Sequence, residues 1–169
     1  DKYMAENALW IREYEDNAKM MIWVHNGHVS KAEKGILNKP MGWHLGNQLK
    51  KDYYAIGLGF GNGEFYAANL TNMKAEAVNS GDALSGSLDA LFSEVEAEQF
   101  FLDLRGAASK PNLKDIVGQP GLTKNIGEAF NPDKTYSYYR KIVLSENYDG
   151  YVFIRNTSAT RRLSYDELK

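Results

Sequence analysis

The chain has 169 residues, with 43% hydrophobic and 25% charged side chains, which is enough for one domain with a buried apolar core. Its 20 Lys and Arg nearly balance its 22 Asp and Glu, and no apolar stretch approaches the roughly 20 residues that cross a bilayer, so neither nucleic acid nor a membrane is predicted as a partner. The absence of cysteine excludes disulfides, Cys-ligated zinc and a thiol nucleophile.

Hydrophobic periodicity predicts helix, strand and helix at the start of the chain. Apolar residues at helical spacing over Met4–Ile11 predict a helix that ends near Asn17. The continuous apolar run Met20–Val24 is typical of a strand buried on both faces of a parallel sheet, and Asn26-Gly27 ends it as a turn. A polar loop follows, and a second helix is predicted within Pro40–Leu49.

Glycines dominate the next segment. Tyr53–Leu58 is strand-like, and Asn62-Gly63 predicts a hairpin turn into a further strand at Glu64–Ala67. The glycines at 57, 59, 61 and 63 match neither the dinucleotide fingerprint nor the phosphate-binding loop, so we interpret them as sites of close backbone packing or as a pocket wall. Residues 71–86 lack strong periodicity and are predicted to be irregular.

Helix, strand and loop signals alternate over the rest of the chain. Ser87 is predicted to cap a helix that reaches Val95, residues 99–104 predict a short strand, and Tyr151–Ile154 predicts a last buried strand. Residues 105–135 hold three of the four prolines and predict a long loop that covers a site. Together these elements predict an α/β fold, with a mostly parallel sheet flanked by helices, as part of a larger domain.

The three histidines, His25, His28 and His44, all fall within twenty positions. The first two follow a predicted buried strand, and ligands of parallel sheets bind beyond the carboxyl ends of the strands. A neutral imidazole there could accept a proton, donate one or bind a metal. A single histidine at a strand end is more often a hydrogen-bonded structural residue, and this interpretation is favoured for His44, at the start of a helix.

Other chemistries have weaker signals. A zinc site needs three or four ligands, and His25, His28 and Glu64 are the economical set, without the helical spacing of a metalloprotease. The Gly-x-Ser-x-Gly elbow of a serine hydrolase is absent. A tyrosine cluster around Tyr138 could line a sugar or macrocycle pocket, although core packing is the default interpretation.

Several segments together resemble the erythromycin esterase family. The strand and turn with both histidines resemble its His-Asn-x-His segment, and flanking segments match in order and spacing. The residues that carry the resemblance are Met4-Ala5-Glu6-Asn7, Ile22-Trp23-Val24-His25-Asn26-Gly27-His28-Val29, Met41-Gly42-x-His44-Leu45, Asp52-Tyr53-Tyr54-Ala55-Ile56-Gly57, Phe60-Gly61-x-Gly63 and Tyr148-Asp149-Gly150 through Ile154.

The resemblance implies a hydrolase without a metal or other cofactor, which opens an ester and, in the best-known members, the lactone of a macrolide. Family members carry a histidine general base and acidic partners in an N-terminal portion, which no segment of this chain matches. We therefore expect residues 1–169 to be a single α/β unit, the C-terminal portion of such a hydrolase. Its expected partners are a small-molecule ester or lactone and the missing N-terminal portion, without which the unit is expected to be inactive.

Within that family, His25 and His28 match the histidine-bearing element that completes the cleft. We predict His25 first, as an orienting or proton-shuttling group, and His28 second. His44 and Glu64 are candidate substrate-binding residues, while Glu6 could support the site or form a surface salt bridge. Two alternative functions stay open. One is a metal-dependent hydrolase with the histidine pair as ligands, and the other is a non-catalytic binding domain for carbohydrate or polyketide.

Overall fold

The structure is a computed structural model that describes residues 1–107, 109–161 and 163. Its α-helices are α1 (Lys2–Tyr14), α2 (Asn26–Val29), α3 (Met41–Leu49), α4 (Leu88–Ser93), α5 (Leu104–Ala107), α6 (Pro111–Val117) and α7 (Leu144–Asn147), with 3₁₀ helices at Lys50–Asp52 and Pro132–Tyr138. Its strands are β1 (Ile56–Asn69), β2 (Lys74–Asn79), β3 (Gln99–Asp103), β4 (Gly121–Lys124), β5 (Ala129–Phe130), β6 (Tyr139–Ile142) and β7 (Gly150–Thr157). No helix in the described part of the chain is long and apolar enough to cross a membrane.

The main sheet is mixed. Its order is β2-β1-β7-β3, and the short β5 also pairs with β1. β1 runs parallel to β7 and β5, whereas β2 and β3 are antiparallel to their neighbours, and β4 and β6 form a separate antiparallel pair. The prediction of α/β structure is therefore confirmed and the prediction of a mostly parallel sheet is wrong. Tight connections such as the turn between β1 and β2 permit only antiparallel pairing.

The predicted hairpin at Asn62-Gly63 is also wrong. β1 continues through both residues, and the chain turns instead after Asn69 to enter β2, within the segment predicted to be irregular. Gly63 lies opposite Thr157 of β7, with a φ of +127°, and a Cβ there would come within 2.2 Å of the Thr157 carbonyl oxygen. Gly63 is therefore required for the close contact between β1 and β7 and not for a turn.

The apolar run Met20–Val24 forms no strand in the structure. Its backbone is irregular, and the side chains of Met21 and Trp23 are 89% and 81% exposed. No strand within the described residues pairs with this run. Ile22 and Val24 pack against the core between α1 and α3, so only one side of the run is covered by the part of the chain that the structure describes.

The long loop predicted over residues 105–135 is also wrong. This segment contains most of α5, all of α6, β4 and β5, and the start of a 3₁₀ helix. Residue 108 lies outside the described residues. Pro111 and Pro132 each begin a helix, where a proline fits because the first backbone N–H groups have no partner in the helix. Several other predictions are confirmed, including α1 with its end before Asn17, α3, β3, β7, and α4 capped by Ser87.

The largest apolar core lies between the main sheet and the helices from α4 onward, and large aromatic side chains fill it. Gly57 and Gly59 of β1 face this core, where a Cβ would come within 2.7 Å of the Tyr148 ring and 2.2 Å of the Tyr151 hydroxyl oxygen. The interpretation of these glycines as sites of close packing is confirmed. A second core lies between α1 and α3.

Replacement of Gly59 by alanine is expected to lower the free energy of unfolding by about 1–3 kcal/mol, because the buried Tyr151 ring cannot move away from the new methyl group. Urea unfolding at pH 7 measures the change. The control is Gly127→Ala, where a Cβ meets no atom within 4 Å, and a shift below about 0.5 kcal/mol is expected. Equal stability of the two variants would contradict the packing role of Gly59.

Candidate functional site

The helix α2 carries both histidines and is attached to the edge of β1. The Asn26 side chain donates to the Leu58 carbonyl oxygen at 2.6 Å and accepts from the Leu58 N–H at 2.9 Å. These two bonds take the place of the backbone bonds that a neighbouring strand would make to Leu58. They lie on the edge of β1 that faces away from β7. The turn predicted after Val24 is therefore a short helix whose first residue is fixed to the sheet.

His25 is occupied at both ring nitrogens. It is the N-cap of α2, and its Nδ1 accepts from the Gly27 N–H at 3.2 Å. Nε2 lies 2.9 Å from the carbonyl oxygen of Ile126. A carbonyl only accepts, so Nε2 carries the hydrogen and Nδ1 is the acceptor. His25 therefore links the start of α2 to the segment that follows β4.

His28 has the opposite tautomer. Its Nδ1 lies 2.8 Å from Oδ1 of Asp1, and the second carboxylate oxygen of Asp1 accepts from the Met41 N–H at 3.3 Å. A carboxylate that only accepts places the hydrogen on Nδ1 and leaves a lone pair on Nε2. No described residue forms a hydrogen bond with that Nε2, and the His28 side chain is 34% exposed. In the neutral imidazole of His28, Nε2 is therefore the nitrogen that can accept a hydrogen bond.

A glycine lets α3 approach this element. A Cβ at Gly42 would lie 2.0 Å from the carbonyl oxygen of Val29, the last residue of α2, so a larger residue would separate the two helices. The hydroxyl of Tyr53 donates to the same carbonyl at 2.8 Å. The Met41-Gly42 pair of the sequence thus marks a helix contact that supports the histidine pair.

The other predicted site residues are not brought against the pair. His44 lies on α3, half-buried, with its ring edge-on to Trp43 at 4.8 Å between centroids. Glu64 is exposed on β1, about 20 Å along the strand from Leu58. Glu6 is exposed and lies 3.6 Å from Lys2 in a surface ion pair. Within the described residues, no three His, Cys, Asp or Glu side chains lie close enough together to hold a metal ion. The zinc site considered for His25, His28 and Glu64 is therefore not formed by these residues.

The tyrosine cluster is divided between core and surface. Tyr138 packs on Phe130 at 4.7 Å between ring centroids, and the hydroxyl of Tyr139 accepts from the Leu84 N–H at 2.8 Å. Tyr136 is 72% exposed. Core packing, the default interpretation, therefore describes Tyr138, while Tyr139 is half-buried with a hydrogen-bonded hydroxyl.

The order of these segments along one mixed sheet matches a known protein family. The model of the erythromycin esterase family matches residues 1–157. The chain belongs to the erythromycin esterase family. No curated protein sequence is similar enough to count as a relative.

Solved structures share this fold. A crystal structure of a Bacillus cereus protein is 28% identical, with a TM-score of 0.73 over 92% of this chain and 37% of its own. A succinoglycan biosynthesis protein is 25% identical, with a TM-score of 0.75 over 93% of this chain and 38% of its own. An EreC erythromycin esterase with a histidine-to-asparagine mutation, in its open conformation, shares the fold at 14% identity, with a TM-score of 0.60 over 91% of this chain and 36% of its own. The chain thus spans less than two fifths of these structures.

A buried carboxylate that no sequence pattern predicts lies immediately before β7. Asp149 is 3% exposed, and it accepts from Lys31 Nζ at 2.5 Å, Arg105 Nε at 2.8 Å and the Ala55 N–H at 2.9 Å. Burial acts to raise the pKa of Asp149, but the hydrogen bonds from Arg105, Ala55 and Lys31 outweigh it and hold the pKa below its ordinary value. The two cations also line an open surface pocket of about 290 Å³ beside Tyr53. A signal is present, since Asp149 lies in a segment of the family resemblance, but the apolar pattern of that segment predicts only a strand.

A second buried carboxylate supports the segment that His25 contacts. Asp89 accepts from the backbone N–H of Lys124 at 2.7 Å, while Lys124 Nζ donates to the Gly61 carbonyl at 2.8 Å and to Ser80 Oγ at 3.0 Å. Burial raises the pKa of Asp89 to about 6, although the bond from the Lys124 N–H opposes the shift, and burial lowers the pKa of the Lys124 amine. This network anchors the chain two residues before Ile126. No local sequence pattern indicated it.

Replacement of Asp149 by asparagine is expected to lower the free energy of unfolding at pH 7 by about 1–3 kcal/mol, because the charged hydrogen bonds from Lys31 and Arg105 are lost while both partly exposed cations regain water. A folded pKa below the ordinary value means that the contribution is present above pH 4 and is lost as the pH falls through the folded pKa. Urea unfolding between pH 7 and pH 3 should therefore show the two proteins converging. Glu96→Gln, at an exposed carboxylate, is the control, and a constant gap at all pH values would contradict this account.

The pKa of Asp89 predicts the opposite dependence. A folded pKa of about 6 lies above the ordinary value near 4, so the contribution of Asp89 to stability falls as the pH rises from 4 to 6 and is constant above that. Asp89→Asn, which keeps an acceptor for the Lys124 N–H, is expected to gain on the order of 2 kcal/mol relative to the unmodified protein over this interval.

Urea unfolding at four pH values between 4 and 7 measures this difference, with Asp115→Asn, at an exposed carboxylate, as the matched control. Parallel curves for Asp89→Asn and the unmodified protein would show that the carboxyl of Asp89 titrates in its ordinary range.

Proposed function

We propose that residues 1–169 are one α/β unit, the C-terminal portion of a hydrolase that opens carboxylic esters or lactones of macrolide type. Membership of the erythromycin esterase family supports this class of reaction. The observation that carries the proposal is the imidazole of His28, which has a hydrogen-bonded Nδ1, an Nε2 without a partner among the described residues, and an exposed edge. Such an imidazole is suited to moving a proton to or from a bound molecule.

In the proposed reaction, the histidine base of the N-terminal portion removes a proton from water while the water oxygen bonds to the ester carbonyl carbon, and Nε2 of His28 takes that proton over from the base. The imidazolium then returns that proton to the leaving alkoxide as the carbon–oxygen bond breaks, which yields an acid and an alcohol. His25 orients the element and does not itself exchange protons in this geometry, since both its nitrogens are occupied. The order of importance predicted from the sequence, with His25 before His28, is therefore reversed in this proposal.

His44 and Glu64 are proposed substrate contacts at the margins of the cleft. His44 lies on α3, the helix packed against α2. Glu64 lies well along β1 from Leu58, the residue bonded to α2, so contact with it requires a substrate as extended as a macrolide ring with its sugars. A small ester would be hydrolysed without its help.

The partner of this unit is proposed to be the remaining, N-terminal portion of the same protein. The chain spans 37% and 38% of the two more similar solved structures, which leaves room for such a portion. Large apolar side chains on α1 and on the run that follows it are exposed together, an arrangement typical of a surface that another part of a protein covers. They are Tyr3, Trp10, Tyr14, Met21 and Trp23.

The experiment is ester hydrolysis by the intact protein, by residues 1–169 alone, and by His28→Ala and His25→Ala variants of the intact protein. The panel contains a macrolide lactone and small aryl esters. The intact protein is expected to be active and the 169-residue unit inactive. His28→Ala is expected to reduce kcat by roughly 10²- to 10⁴-fold, and His25→Ala by less, through a misplaced α2.

Two results would overturn the proposal. The absence of hydrolysis by the intact protein across the panel would exclude the reaction class. Unchanged kcat in His28→Ala, with activity in the intact protein, would exclude His28 as the proton carrier.

A further inference from the structure

The carboxylate of Asp1 joins two elements of the site. Its Oδ1 lies 2.8 Å from Nδ1 of His28, and its Oδ2 accepts from the Met41 N–H at 3.3 Å. Within the described residues it makes no capping hydrogen bond to α1, so its side-chain contacts are to α2 and α3.

We infer that Asp1 is the positioning residue of His28, which fixes its tautomer and its orientation for proton transfer. The catalytic part of this inference rests on the proposed function. Because the carboxylate only accepts, it selects the imidazole with hydrogen on Nδ1 and a lone pair on Nε2. The bond at 2.8 Å also fixes the ring plane, so the lone pair has one direction. The other tautomer would have its hydrogen on Nε2 and could not accept a proton there.

A purely structural role would look different. A carboxylate that only joined helices could be replaced by an amide, since the amide oxygen can still accept from Met41. An amide at position 1 can also turn its NH₂ group to His28 Nδ1, and this would favour the wrong tautomer. The structural role and the positioning role of Asp1 thus predict different tautomers of His28 in the amide variant, and the tautomer can be measured.

The first measurement is a ¹⁵N spectrum of the intact protein with labelled histidine, which reports the protonated nitrogen of each ring. The unmodified protein is expected to show hydrogen on Nδ1 of His28 and on Nε2 of His25. Hydrogen on Nε2 of neutral His28 would overturn the inference without any substitution, so the test holds even where a variant fails to fold.

The second measurement compares Asp1→Asn, Asp1→Glu and Ser30→Ala. Asp1→Asn is expected to shift His28 toward the Nε2–H tautomer and to lower kcat by roughly 10²- to 10⁴-fold with little change in KM. Asp1→Glu, which keeps the carboxylate, is expected to recover much of kcat. Ser30→Ala removes the bond from Ser30 Oγ to Asn147 at the end of α2 and should change stability without changing the tautomer.

The outcomes distinguish this inference from the proposed function. Unchanged tautomer and kcat in Asp1→Asn would overturn the role of Asp1 while the hydrolase proposal stands. An intact protein without ester hydrolysis would overturn the proposed function, and the spectrum would still decide whether Asp1 fixes the His28 tautomer.

Discussion

The hydrogen bonds of the buried residue Asp149 join three strands of the main sheet, at the starts of β1 and β7 and at the end of β3. Its side chain accepts from Lys31, Arg105 and the Ala55 N–H, its backbone N–H donates to the Ala55 carbonyl, and its own carbonyl accepts from the Leu104 N–H. β1 begins one residue after Ala55, β7 one residue after Asp149, and β3 ends one residue before Leu104. Because a charge is stable in the interior only when its hydrogen bonds are complete, this network favours a single register of the three strands.

The same network fixes the element that carries the histidines. Lys31 follows α2 and is bonded to Asp149, while Asn26 at the start of α2 is bonded to the backbone of Leu58. A four-residue helix has little stability of its own, so these attachments at both ends maintain it. Of its two imidazoles, His25 closes the helix N-terminus, and His28 points to a different helix with one nitrogen available.

Sequence patterns predicted what depends on neighbours in the chain and failed where distant residues decide. Asn17 and Ser87 marked a helix end and a helix start correctly, because breakers and caps act locally. Asn62-Gly63 looked like a turn, but the glycine is required by Thr157, which no local pattern contains. The site follows the same rule. The spacing of His25 and His28 indicated the pair, but their tautomers depend on a carbonyl 101 residues from His25 and a carboxylate 27 residues from His28.

The strand predicted at Met20–Val24 is absent, and part of the run is exposed apolar surface. The run has the composition of a strand buried on both faces, yet Met21 and Trp23 are exposed, and full burial of such a side chain is worth roughly 1.5–3 kcal/mol. The run leads directly into Asn26, whose amide already occupies hydrogen-bonding positions on the open edge of β1. Together with the exposed apolar side chains of α1, this run forms the kind of surface that another part of a protein covers, and His28 follows it closely in the chain, with its Nδ1 bonded to Asp1 at the start of α1.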